Sequence, residues 1–299
     1  MILVFGGNGQ LGQELTRAGT ASATPLAALS HAQADIADPA AVGDAINRHD
    51  PSLVVNAASY TKVDLAETEI EANRRANEIG PAILAAACAT AGVPLVHIST
   101  DYVFDGTKQG AYVEGDPVVP INSYGRSKAA GEQAVRASTP LHLILRTSWI
   151  YGEFGQNFLK TILRLAATRD ELRVVADQRG CPTSTPDLAR AILRLAPQLI
   201  GGDKIWGTYH FAGSGVTTWH AFASRIVAAQ ASLTGRAPRV TAITTADFPT
   251  PARRPANSEL DSGLFQRVFG FRGRPWTEEA DAITRALVGA QIEKDSHVA

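Results

Sequence analysis

The sequence predicts an α/β protein built on a doubly wound parallel sheet, with a smaller α/β domain following it. Three observations carry this. Short, continuous apolar runs alternate with helix-length segments through the first half. A glycine cluster directly follows the first run. Past about Trp149 the alternation becomes irregular and is broken by Pro182, Pro186, Gly201-Gly202, Gly213 and Gly215.

Residues 1–5 form an unbroken apolar run, the pattern of a strand buried on both faces. A helix is expected over about residues 10–18 and a second strand over 25–29. Asp38 and Pro39 suit a helix start, the acid as cap and the proline in the first turn. Residues 52–56 form the third strand, and 64–92 read as helical with an interruption near Gly80-Pro81. Strands follow at residues 93–99 and 141–146. The expected division is 1–148 for the sheet domain and 149–299 mainly for the smaller one, with some elements returning to the main sheet. No internal repeat or low-complexity segment interrupts this plan.

Composition sets limits. The 299 residues carry 28 basic and 29 acidic side chains, a net charge of −1, which excludes the strong field of a nucleic-acid binder. The basic pairs Arg74-Arg75 and Arg253-Arg254 are isolated. Cys88 and Cys181 have no metal-ligand spacing and cannot make a disulfide framework. No apolar run reaches the roughly 18–20 residues of a membrane helix. The chain opens on a strand without a signal-peptide pattern, so a cytoplasmic location is expected.

Gly6, Gly9 and Gly12 follow the first strand and open a helix, and Gly7, Gly9 and Gly12 satisfy G-x-G-x-x-G. Such glycines permit a tight turn, let backbone approach a pyrophosphate and let the helix pack close to the strand. The sheet is therefore Rossmann-like, and NADPH or NADH is the expected cofactor. An acid after the second strand would accept the adenine-ribose hydroxyls of NAD. Here stand Leu29-Ser30-His31 instead, so a 2′-phosphate meets no repulsion. Ser30 and His31 are either its donors or plain loop residues. Asp35 and Ile36 can flank the adenine, one by hydrogen bonding and one by packing.

Tyr124 and Lys128 stand at i and i+4 of an expected helix and share a face. A free phenol has a pKa of about 10, and a nearby ammonium should lower it toward use in acid catalysis at a carbonyl. Lys128 can also hold the nicotinamide ribose. Thr100 closes a buried strand at its C-terminal end, where doubly wound sheets carry their sites, and can bond the same carbonyl oxygen. Asp101 beside it is available to a sugar hydroxyl. Glycine loop, strand-end hydroxyl and Tyr-x-x-x-Lys occur in the order this chemistry needs.

With these motifs the chain resembles the extended short-chain dehydrogenase/reductase superfamily and, more narrowly, the dTDP-4-dehydrorhamnose reductase family. The resemblance rests on Gly9-Gln10-Leu11-Gly12, Asn56-Ala57-Ala58 with Thr61, Val63 and Asp64, and Ser99 to Phe104. It continues through Tyr124 to Lys128, Arg146 to Trp149, and Pro249 to Pro255. It implies reduction of the C4 keto group of dTDP-4-dehydro-L-rhamnose, with Thr100, Tyr124 and Lys128 catalytic. Gly9, Gln10, Leu11, Ala58, Ser59 and Thr61 would line the cofactor with Asp35 and Ile36. Val63, Asp64, Asp101, Tyr102 and Trp149 would contact substrate, as Thr100 does, with Arg254 clamping its diphosphate.

Two departures stand out. Some family members carry an acid after the second strand, and some hold Mg2+ at a dimer interface through glutamates. Glu14 matches one such position but Pro186 occupies another, which puts a metal-bridged dimer in doubt; monomer and homodimer both remain open. Two other functions fit the same fold. A nucleotide-sugar epimerase or dehydratase would retain NAD, and a dehydratase would have a second carboxylate where Tyr102 follows Asp101. A non-catalytic subunit, of the kind that attends S-adenosylmethionine synthesis, need not keep all three catalytic residues.

Overall fold

The computed structural model describes residues 1–202 and 205–298. Its main sheet takes strands β1 (Ile2–Phe5), β2 (Leu26–Leu29), β3 (Leu53–Asn56), β4 (Leu95–Thr100) and β5 (His142–Thr147) from the first half. After the short strands β6 (Ile150–Tyr151), β7 (Glu171–Val175), β8 (Arg179–Gly180) and β9 (Thr183–Ser184), the chain adds β10 (Gly207–His210) to the same sheet. The order is β10-β5-β4-β3-β1-β2, six strands, all pairings parallel.

Helices α1 (Gln10–Ala21), α2 (Pro39–His49), α3 (Ile70–Arg74), α4 (Gly80–Ala91) and α5 (Ser123–Ser138) lie in the first half. They are followed by α6 (Phe158–Ala166), α7 (Thr185–Ile200), α8 (Trp219–Thr234), α9 (Gly263–Phe269) and α10 (Trp276–Val298). Side-chain alternation along the strands explains the layers. Ile2 and Val4 of β1 join Leu11 and Leu15 of α1, Ile192 of α7 and Phe265 of α9 in one core. Leu3 and Phe5 point the other way, to Ile46 of α2, Leu84 of α4 and Val135 of α5. Each continuous apolar run is thus a strand with two covered faces.

Asp38 caps α2 as expected, accepting from the backbone of Ala40 at 2.9 Å and of Ala41 at 3.3 Å. The break expected at Gly80-Pro81 is absent. The chain passes from α3 through a π-helical turn over Arg75–Ile79 into α4, with Pro81 in the first turn. A proline there lacks only an N–H that an α-helix start leaves unpaired anyway, and the wider turn takes up the lost bond.

The smaller unit pairs β7 in parallel with β12 (Arg239–Ile243) and covers that ribbon with α6, α8 and α10 around Phe222, Ile226 and Leu159. The short strand β11 (Thr217–Thr218) pairs with β8. No helix among the described residues is long and apolar enough to cross a membrane.

Candidate active site

The C-terminal ends of the strands open into one groove. A cleft of about 660 Å³ lies over β4 and β5, and a recess of about 480 Å³ lies beside β2; they share Asn8, Gly9, Ala57, Ala58 and Ser59. Gln10, Leu11 and Thr61 line the cleft as well. Gly9 is the N-cap of α1 and has no side chain to occupy the helix end, leaving its N–H groups facing the groove. Gly12 serves packing: a Cβ there would stand 2.3 Å from the Gly6 carbonyl oxygen.

Gly6, Asp35 and Ile36 line the recess with His31. Ser30 does not; its hydroxyl donates to Gln33 at 2.8 Å and closes the turn after β2. Arg75, noted in the sequence only as half of an isolated basic pair, lines the recess and donates to Asp35 at 2.7 Å. Burial, the largest single influence, works against ionisation of Asp35, but the bond and charge of Arg75, the Ala37 backbone bond and the nearby His31 together outweigh it and hold the carboxyl below its usual range. Its role at the site escaped notice because 40 residues separate it from Asp35; only the sheet crossover brings them together.

Thr100 ends β4, next to Thr147 of β5, and Tyr124 and Lys128 rise from the first turns of α5. All of these line the cleft, as do Val63, Asp101, Tyr102 and Trp149. The start of α5 is fixed from two sides. Asn122 caps it by accepting from Gly125 N at 2.7 Å, and Glu67 accepts from the Ser123 backbone at 2.7 Å. Lys128 is buried, and its Nζ donates to the Ile98 carbonyl at 2.7 Å. Burial lowers its pKa to about 8.

The phenol departs from the sequence expectation. Burial pushes Tyr124 up to about 12, and the group that eases this is the Thr100 hydroxyl. The physical reason is placement: the Lys128 ammonium is drawn to a strand carbonyl instead of the phenol oxygen. Asp101 is likewise buried, and desolvation raises its pKa to about 7.

Trp149 has φ of +47°, a left-handed conformation that is strained for a bulky residue. Its indole stacks on Trp219 with ring centroids 3.5 Å apart, and both rings line the cleft. A Cβ at residue 180 would come within 2.4 Å of the Trp149 ring, so Gly180 makes room for it. Trp219 lay in an unremarked helical start in the sequence. Asp64 and Arg254, two expected substrate contacts, instead grip each other. Arg254 donates through both terminal nitrogens to the two Asp64 oxygens, the Nη2–Oδ2 contact being 2.7 Å. Neither borders the cleft directly; they stand behind Tyr102, whose phenol feels both charges.

This arrangement has close counterparts. The family described as RmlD substrate binding domain matches residues 1–288. The dTDP-4-dehydrorhamnose reductase of Sinorhizobium fredii is 43% identical over 97% of this chain and 97% of its own. That of Salmonella typhimurium is 39% identical over 90% and 91%.

The chain belongs to the dTDP-4-dehydrorhamnose reductase family.

Solved reductases of this family share its shape. The Clostridium acetobutylicum structure superposes with a TM-score of 0.89 at 39% identity, covering 96% of this chain and 99% of that one. The Bacillus anthracis reductase, solved in complex with NADP, gives 0.87 at 36% identity, over 94% and 97%. Within the family, the glutamate position linked to Mg2+ does not fit a cation here. Glu14 is buried and gripped by Arg17, with contacts of 2.7 and 2.9 Å to its two oxygens, and Pro186 supplies no ligand.

Proposed function

We propose that this chain reduces the C4 keto group of dTDP-4-dehydro-L-rhamnose to give dTDP-L-rhamnose, using NADPH or NADH. The observation that carries the reading is the joining of a dinucleotide groove to a cleft where a half-buried phenol and a strand-end hydroxyl converge beside two stacked indoles. The nicotinamide, when bound, supplies the hydride. The N-terminus of α1 meets the pyrophosphate, and Ile36 and Asp35 with Arg75 hold the adenine end. Lys128 holds the nicotinamide ribose from the floor of the cleft. Thr100 bonds the keto oxygen and Tyr124 gives it a proton as the alkoxide forms. Trp149 and Trp219 offer an apolar wall to the sugar face and methyl group. The side chains align donor and acceptor, and orientation of this kind accounts for up to about 7–11 kcal/mol of a barrier.

The dehydratase alternative is disfavoured by one feature: Asp101 is the only carboxylate among the described residues that line the cleft. The deciding experiment mixes the purified protein, NADPH and dTDP-4-dehydro-L-rhamnose, following nicotinamide absorbance and identifying the sugar product. Oxidation of NADPH matched to dTDP-L-rhamnose is expected. No oxidation, with stoichiometric NAD carried through purification, would turn the reading to an epimerase; cofactor binding without turnover would turn it to a regulatory subunit.

A further inference from the structure

Once Tyr124 has given up its proton, the tyrosinate must be recharged, and Lys128, whose Nζ bonds the Ile98 carbonyl, is not among the groups that act on the phenol. A second source lies on the other side. Thr100 Oγ1 and Asp101 Oδ1 share a hydrogen bond of 3.0 Å, and with the acid protonated it is Asp101 that donates, freeing the single Thr100 hydrogen for the Tyr124 oxygen. Asp101 is 2% exposed, and its Oδ2 has no hydrogen-bond partner although the residue borders the cleft. The Ser258 hydroxyl lies close enough to ease the charge on Asp101, but it is turned to the Arg179 carbonyl at 3.2 Å and leaves Oδ2 without a bond. A buried carboxylate with one bare oxygen is costly; a carboxylic acid there is far less so.

We propose that Asp101 is the proton store of the reaction, recharging Tyr124 through the Thr100 hydroxyl. This rests on the reductase reading. As hydride reaches C4, the keto oxygen gains the electron pair and takes the phenol proton. The tyrosinate takes the Thr100 proton, and Thr100 takes the one that Asp101 carries on Oδ1, the oxygen in contact with it. Asp101 ends as carboxylate and regains a proton from water once product leaves the cleft. One proton and one hydride are added to the sugar, and one proton is drawn from solvent.

The surroundings favour this cycle near neutral pH. Around Asp101 stand the phenols of Tyr102 and Tyr124, the Cys181 thiol, and the Thr100 and Ser258 hydroxyls. Arg254 and Asp64 act on Tyr102 next door with opposite signs. Burial is the largest influence, raising Asp101 to about 7, which suits a group that must both give and regain a proton.

The test is the pH profile of kcat in wild type, Asp101→Asn, Thr100→Val and Thr100→Ser. Wild type should lose rate as pH rises above about 7. Asp101→Asn keeps the shape but carries no acid proton, so kcat should fall about ten- to a hundredfold and the alkaline limb near 7 should vanish. The KM for the sugar nucleotide should barely move. Thr100→Val should abolish the same limb and Thr100→Ser should restore it. If Asp101→Asn raises only KM, or keeps both rate and limb, Asp101 is a sugar contact or a structural group and the store is wrong. A Tyr124→Phe loss alongside an unchanged Asp101→Asn would overturn the store while leaving the reductase reading intact. A wild type without turnover would overturn both.

Discussion

Tyr124 works from a half-buried position where desolvation holds its phenol as the neutral acid, pushed up to about 12. Tyr124→Phe keeps the ring, including its edge contact to Tyr102 at 5.9 Å between centroids, and removes only the proton. Turnover should fall by about 10²–10⁴-fold with NADPH affinity nearly unchanged, as read by steady-state rates and cofactor titration. Trp149 supplies a second test at this scale. Gly180→Ala would drive a methyl group into the indole, displacing a ring already held in a strained backbone conformation. Overpacking of this sort costs about 1–3 kcal/mol. The sugar-nucleotide KM should rise about tenfold, and the tryptophan fluorescence should change as the Trp149–Trp219 stack loosens.

Helix α5 is held where the loop over residues 249–255 reaches it. Asn122, its cap, donates to the Arg253 carbonyl at 2.8 Å, and Asp64 accepts from the Ala252 backbone at 3.1 Å. The proline-rich loop is therefore bolted to the catalytic helix at one point and to the Asp64 segment at another. Arg254 ties these together, which changes the expectation of a free diphosphate clamp into that of a brace behind Tyr102. Arg254→Ala leaves the half-exposed Asp64 carboxylate unpaired and frees the loop. We expect a marked rise in the sugar-nucleotide KM, little change in the NADPH KM, and only partial rescue by Lys, which cannot reproduce the two-pronged bond. Equal effects on both KM values, measured with each ligand varied, would make the brace purely structural.

Beneath the cleft, the whole molecule depends on a buried charge cluster. Arg146 of β5 bonds Glu132 of α5 through two nitrogens at 2.8 and 2.7 Å, and Ser99 donates to the same carboxylate at 2.6 Å. Burial opposes ionisation of Glu132, yet these partners lower its pKa to about 2. A depressed carboxyl contributes stability above its usual value of 4.5 and loses it as pH falls toward about 2. His210, held neutral by burial with a pKa of about 4 against the usual 6.5, acts in the same direction over that higher window. Thermal stability should therefore decline in acid in two stages. Glu132→Gln should flatten the lower stage. It should also destabilise the fold at neutral pH by about 3–5 kcal/mol, because Arg146 is left buried without its countercharge; denaturant titration across pH measures both.

The strands, the glycine loop and the Tyr124–Lys128 spacing were legible in the sequence because each is a local pattern. Apolar runs of strand length, glycine beside a helix start, and an i,i+4 pair each carry their meaning within a few residues. The α2 cap at Asp38 and the neutral, unacidic turn after β2 were readable for the same reason. What lay beyond reach joins distant segments. The pairing of Arg75 with Asp35, the Trp149–Trp219 stack, and the closure of Arg254 on Asp64 across 190 residues exist only once the sheet is wound and the second unit docks. A return of later elements to the main sheet was expected from the sequence, but that the returning strand is β10, at the edge beside β5, only the assembled sheet decides. The protonation behaviour of the site was decided there too. Spacing put Lys128 and Tyr124 on one face, but burial and the nearest acceptor set where the ammonium points and how tightly the phenol and Asp101 hold their protons. Those quantities depend on solvent exclusion by the assembled fold, which no stretch of the chain contains on its own.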